Sequence, residues 1–285
     1  QNQKDSATAV GNQAGQFDQG ENAVAIGRSA GMGVLGGPGQ GEYTVAIGYE
    51  AGKQGQMGAA VAVGSTAGQI SQGNVAVAVG NQAGQYNQGN DSVAIGNLAG
   101  QGIQGGQGQG QYTVAIGYEA GKETQMGAAI AIGSTAGQIS QGESCVAVGN
   151  EAGQYNQGND SVAIGNRAGH GIEGGPGQGQ YTVAIGYEAG KEGQIGGAVA
   201  VGSTAGQISQ GNVAVAVGNE AGQYNQGNDS VAIGNRAGQG IEGGPGQGQY
   251  TVAIGYEAGK EGQIGGAVAV RSTAGQISQV RVVSL

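Results

Sequence analysis

Apolar and polar residues alternate in one short phrase that recurs along the whole chain, Val93-Ala94-Ile95-Gly96 with Ala99-Gly100 behind it. With Val and Ile exchanging, the phrase ends at Gly11, Gly27, Gly48, Gly64, Gly80, Gly96, Gly117, Gly133, Gly149, Gly165, Gly186, Gly202, Gly218, Gly234 and Gly255, and a sixteenth copy reaches Arg271. The steps run 16, 21, 16, 16, 16, 21, so four copies make a block of 69 residues. A repeat this short cannot bury a core alone and must be one turn of a stacked array. Period-2 alternation through Ser92-Val93-Ala94-Ile95 predicts a short strand with Val93 and Ile95 on one face and Ser92, Ala94 and Gly96 on the other. The larger side chains are expected inside the coil. The Ala-Gly pair predicts a tight corner. A polar return segment follows, usually with one large apolar residue (Tyr86, Met126, Ile139, Tyr155, Ile208, Tyr224), and Gln72-Gly73, Gln88-Gly89 and Gln141-Gly142 read as a second corner.

The pattern therefore specifies an all-β chain, a parallel β-solenoid of about sixteen coils of 16 or 21 residues, with residues 1–285 forming one repeat domain. At about 4.8 Å per coil the stack would be a rod of roughly 75 to 80 Å. Each long coil carries five extra residues around Gly36 to Gly41, Gly105 to Gly110, Gly174 to Gly179 and Gly243 to Gly248, including Pro38, Pro176 and Pro245. These are expected as loops on one side, recurring about every 19 Å. Tyr43, Tyr112, Tyr181 and Tyr250 precede the long-coil strands, and Tyr49, Tyr118, Tyr187 and Tyr256 follow them. They serve either to fill space beside the insertion or to grip a sugar or another fibre.

The small-residue face bears on assembly. Ala94, Ala115, Ala163, Ala184 and Ala232, with Ser or Thr before them, form a nearly uncharged strip where a solvated strand would carry Thr, Lys, Glu or Arg. Such a smooth strip is expected to pack against other copies of the chain, most simply about a three-fold axis, with end-to-end association into a filament as a further form. The last coil departs from the pattern: Arg271 replaces a Gly, and residues 271–285 read as a cap or as a truncated repeat of a longer array, the second being favoured.

Composition changes the picture little. Gly is 67 of 285 residues, yet there is no Gly-X-Y register, so collagen is excluded and ordered repeats are favoured over low complexity. Ten Lys and Arg against nineteen Asp and Glu, without a basic cluster, argue against nucleic acid as a partner. No apolar run approaches the roughly 20 residues of a membrane-spanning helix. One Cys leaves no intrachain disulfide framework.

Val-Ala-Ile-Gly-x-x-Ala preceded by Ser or Thr, at this spacing from Thr8 to Ser278, resembles the YadA-like head repeat of trimeric autotransporter adhesins, with Ala-Gly where those heads commonly have Ala-x-Ala. The resemblance implies a left-handed parallel β-roll, a trimer, and an extracellular place on a cell or virion surface. Related repeats occur in viral and other surface fibres.

Candidate chemistry is sparse. Gly48-Tyr49-Glu50-Ala51-Gly52-Lys53-Gln54 has the wrong spacing for a phosphate loop and lacks a Ser or Thr after Lys, so it reads as a corner with an exposed Glu50/Lys53 pair, repeated at Glu119/Lys122, Glu188/Lys191 and Glu257/Lys260. His170 stands where sister blocks have Gln101 and Gln239, and reads as a drifted loop residue rather than a ligand. Cys145 replaces Ala76 and Ala214 of sister coils and reads as a small core or packing-face residue. Asn90, Asn159 and Asn228 each begin Asn-Asp-Ser, an N-glycan acceptor pattern that equally suits a turn feeding the strand. No catalytic set, cofactor or metal site can be assembled. The chain is thus expected to be a non-enzymatic extracellular fibre or adhesin module. The alternatives are a receptor- or glycan-binding viral or phage fibre, with a host-surface ligand, and, less well supported by its irregular exposed positions, an ice-binding solenoid.

Overall fold

A computed structural model describes residues 4–37, 39–275 and 277–279, the last three by backbone alone. Every strand is three residues long, and no helix occurs among the described residues. The chain is a parallel β-solenoid of about sixteen turns that divides into two compact units, Gln1–Ser144 and Cys145–Leu285. The first unit contributes the repeat strands Thr8–Val10, Val24–Ile26, Val45–Ile47, Val61–Val63, Val77–Val79, Val93–Ile95, Val114–Ile116 and Ile130–Ile132. The second contributes Val146–Val148, Val162–Ile164, Val183–Ile185, Val199–Val201, Val215–Val217, Val231–Ile233, Val252–Ile254 and Val268–Val270. Within each unit like stacks on like, as in Val45↔Val61, Ala46↔Ala62 and Ile47↔Val63. The five-residue insertions leave this register untouched, since Val93 still pairs with Val114 and Val231 with Val252. The extra residues are therefore absorbed outside the ladder, which is what a single loop per block requires.

The strand faces point opposite to the expectation from residue size. Ala94, Ala115, Ala163, Ala184 and Ala232 are fully buried inside their own coils and cannot form a packing face between copies. Val93 is half-buried and Ile95 is 39% exposed, so the branched side chains project outward. The cause is the narrowness of the coil. A Cβ built on the corner glycine Gly84 would lie 3.3 Å from the Cβ of Ala78 across the interior and 2.6 Å from Oε1 of Gln88. A branched side chain has no room in that gap, and Ala exhausts it. The interior is lined by the strand Ala, the corner Ala, and the small residue before the strand, which is Ala, Ser, Thr or, once, Cys145.

The remaining space belongs to glutamine. Gln19, Gln56, Gln72, Gln125, Gln194, Gln210 and Gln226 are among the largest fully buried side chains, so the Gln of each Gln-Gly corner belongs to the core. Each Nε2 closes its own coil from within: Gln72 donates to Val61 O at 2.7 Å and to Ala76 O at 3.1 Å. The same amide then reaches the next coil, donating to Gln88 Oε1 at 3.2 Å. In the second unit the chain Gln178, Gln194, Gln210, Gln226 is continuous, with Nε2 to Oε1 distances of 3.2, 3.0 and 3.2 Å. Burial of so polar a side chain is tolerated because its amide hydrogens are satisfied.

Two glycine positions follow from this packing. The corner glycine leaves room for the amide, as at Gly206, where an added Cβ would meet Gln210 Oε1 at 2.5 Å. The glycine ending each strand sits at φ near +130° with its missing Cβ aimed at the next coil: at Gly64 the clash would be with Gly80 O, at 2.3 Å. Arg271, which replaces this glycine, is held at φ 107°. Val280 and residues 281–285, the rest of the aberrant end, lie outside the described residues.

Candidate functional site

Three surface features are built by this repeat. The first is the outward face of the main sheet. Because register is constant, Ile47, Val63, Val79, Ile95 and Ile116 fall in line, as do Ile164, Ile185, Val201, Val217 and Ile233 in the second unit. Ile26, Ile47, Ile95, Ile132, Ile164, Ile185, Ile233 and Ile254 are each 36–39% exposed. At roughly 60 to 70 Å² apiece, one unit of eight strands shows about 500 Å² of apolar surface from this position alone, at the upper end for a monomer's largest patch.

The tyrosines border this face and do not fill space beside the insertion. Tyr43, Tyr112, Tyr181 and Tyr250 are 62–65% exposed, and Tyr49, Tyr118, Tyr187 and Tyr256 are 43–53% exposed. The first set also sits in the left-handed region, at φ 57–59°. Arg28 of a neighbouring coil lies 5.1 Å from the centre of the Tyr49 ring, a cation–π contact.

The second feature is a charged ladder at the Ala-Gly corner. The four repeated Glu/Lys pairs form, at 2.9 Å for Glu50–Lys53 and 3.0 Å for Glu257–Lys260. They are less exposed than the sequence suggested; the Glu188 side chain is 11% exposed. Stacking adds partners that linear spacing does not reveal. Arg167 bridges Glu151 at 3.2 Å and Glu188 at 2.9 Å, and Arg236 bridges Glu220 at 2.9 Å and Glu257 at 3.5 Å. Lys53, by hydrogen bond and charge, holds the Glu50 carboxyl below its ordinary range, with Gln69 assisting. Lys260 first and Arg236 second do the same for Glu257. Glu220 raises the Arg236 guanidinium, and burial raises the phenols of Tyr155 and Tyr224.

Beside it runs a second amide ladder, Gln69–Gln85–Gln101 and Gln207–Gln223–Gln239, with steps of 2.9–3.0 Å. His170 occupies this ladder position in its block, edge-on to Tyr155 at 5.3 Å and with Nε2 3.4 Å from Glu151 Oε2. No group of three His, Cys, Asp or Glu among the described residues is arranged to hold a metal ion. Cys145 is fully buried, its Sγ donating to Gly158 O at 2.8 Å.

The third feature is the insertion loop. Ile103 N bonds Gln107 O and Gly106 N bonds Ile103 O, so the loop closes on itself, while Asn87 Nδ2 ties Gly106 O to the preceding coil at 2.8 Å. Asn156 and Asn225 repeat the tie to Gly175 and Gly244. Pro176 and Pro245 are exposed; Pro38 lies outside the described residues. A shallow groove of about 400 Å³ runs beside one loop, lined by Gln107, Gly108, Gln109, Gly110, Thr124, Gln125, Met126 and Gly127. At the Asn-Asp-Ser segments, Asn90 and Asn228 accept backbone N–H bonds from Asn74 and Asn212 at 2.9 Å, and Asn159 is half-buried. Ser92, Ser161 and Ser230 point inward, fully buried, each bonded to the glycine carbonyl three residues back.

The buried glutamines and the Glu–Arg–Glu stacks were missed by sequence reasoning. Their signal was present in the invariant column of Gln preceding each strand and in the 16- and 21-residue spacing of opposite charges. No protein-family model matches this chain, and no curated protein matches it.

Proposed function

We propose that the chain is a non-enzymatic structural module of an extracellular surface fibre or adhesin, whose copies self-associate through the outward Val/Ile face. Parallel sheets are stable when both faces are covered, and here the coil covers only the inner one. The uncovered face is the observation that carries the reading. The repeat's resemblance to adhesin heads supports three copies about a common axis, a left-handed coil and a place on a cell or virion surface. No helix among the described residues is long and apolar enough to cross a membrane. A second reading, recognition of a glycan or receptor, draws on the exposed tyrosines and the tethered loops, and a glycan array probes it directly.

Sedimentation of the double variant Ile95→Lys/Ile164→Lys tests the assembly. Both positions are about 38–39% exposed, so lysine fits the isolated coil. The wild type is expected to sediment as an oligomer and the variant as a folded monomer. An unchanged oligomer in the variant would exclude this face as the interface.

A further inference from the structure

We infer that the tyrosine pairs of the long coils fix the axial register in which copies of the chain meet, an inference that rests on the self-association proposed above. The Val/Ile face cannot set a register unaided. Apart from Thr8 in the first coil, each coil presents Val or Ile followed by Ile or Val on the same line, so sliding one copy by a single coil, about 4.8 Å, would exchange one set of apolar contacts for an equivalent one.

Tyr43 and Tyr49 break that equivalence. They bracket the strand Val45–Ile47, and where they stand sister coils carry Asn22, Ala59, Val75 or Asp91 and Arg28, Ser65 or Asn81, none of them aromatic. The pair returns at Tyr112 and Tyr118 four coils later in the same unit, and the second unit repeats the arrangement around Val183–Ile185 and Val252–Ile254. Slips of one to three coils would set aromatic rings against non-aromatic residues, and only a four-coil slip, about 19 Å, would restore the match.

Exposure agrees with a role outside the chain. Tyr43 and its three equivalents are 62–65% exposed, and the left-handed turn they occupy is common to the repeat, as at Asn22 and Val75 with φ 54°, so the ring is not what holds the backbone there. Within one copy the rings secure little burial. Between copies the area is sufficient: the Ile, Val and Tyr surface of one unit comes to about 1,000 Å², above the roughly 800 Å² per partner of a stable interface.

The test replaces all eight tyrosines with Asn, which sister coils carry at both positions, so the corner geometry is retained. A nitroxide is attached at Asn97→Cys in a Cys145→Ala background, Ala being the residue of sister coils at that place, and distances between labels are measured by pulsed electron resonance. Circular dichroism and native mass establish that both proteins are folded and associated. The parent is expected to give one narrow distance distribution. The eight-Asn variant, at unchanged mass, is expected to show added populations displaced by axial steps of about 4.8 Å. A single narrow distribution in the variant overturns the inference, as does its dissociation to monomers, which would assign the rings affinity instead of register. Multiple registers in the parent overturn register control alone, whereas a monomeric parent overturns the self-association as well.

Discussion

Replacing Gln210 with Leu removes an amide from the interior while keeping a side chain of similar bulk. Gln210 Nε2 donates to Val199 O at 2.8 Å, Ala214 O at 3.1 Å and Gln226 Oε1 at 3.2 Å, and its Oε1 accepts from Gln194 Nε2 at 3.0 Å. The two Nε2 hydrogens are shared among three acceptors, so with the bond accepted by Oε1 the equivalent of three bonds is lost. At a net contribution near 1 kcal/mol each, offset in part by the apolar gain of Leu, the loss comes to about 2 kcal/mol. Gln210→Ala is expected to cost about 1 to 2 kcal/mol more, because a cavity opens where the amide lay. Urea unfolding followed by circular dichroism reads both, with Asn219→Ala, an exposed amide in the same unit, as a control expected within about 0.5 kcal/mol of wild type. If Gln210→Leu equals or exceeds wild-type stability, the core needs only volume, and the claim that the amide ladder holds coils together is wrong.

Other changes follow from the same geometry. Gly202→Ala places a Cβ 2.5 Å from Gly218 O at φ +131°, and is expected to cost at least about 3 kcal/mol and to raise hydrogen exchange in the strands on both sides. Arg236→Ala should lower the urea midpoint only slightly, an effect that vanishes in high salt, because the side chain is 40% exposed. Glu50 and Glu257 have folded values below the ordinary 4.5, so between the folded and unfolded values the unfolded chain binds more protons. Their stabilisation is therefore present above about pH 4.5 and lost as pH falls through the folded values. The urea midpoint should drop in that acid window, and Glu50→Gln/Glu257→Gln should flatten the drop. The Cys145 thiol, fully buried, should resist a maleimide in the native protein and react on unfolding.

The repeat length, the strands and the constant register were legible in the sequence because a fixed 16-residue step leaves one arrangement in which Val-Ala-Ile stacks on itself. The position of the insertions was legible for the same reason, since Gly105 to Gly110 interrupts the spacing without shifting Val93 against Val114. What failed was the sense of the faces. Alternation separates Ala94 from Val93 and Ile95 but does not say which side is inner, and size suggested the wrong one. Inside and outside are decided by the gap between the two walls of the coil, a three-dimensional quantity fixed by the pairing of Gly84 with Gln88 rather than by either residue alone. The charged stacks were hidden for a similar reason: Arg167 lies 16 residues from Glu151 and 21 from Glu188, distances that become contacts only after coiling.

Light scattering of the purified chain at micromolar concentration gives the native mass directly. Three times the chain mass of 27.5 kDa is the expected result, with the Val/Ile faces buried between copies. A monodisperse species of 27.5 kDa would contradict it, because the outward apolar face would then be stable in water uncovered.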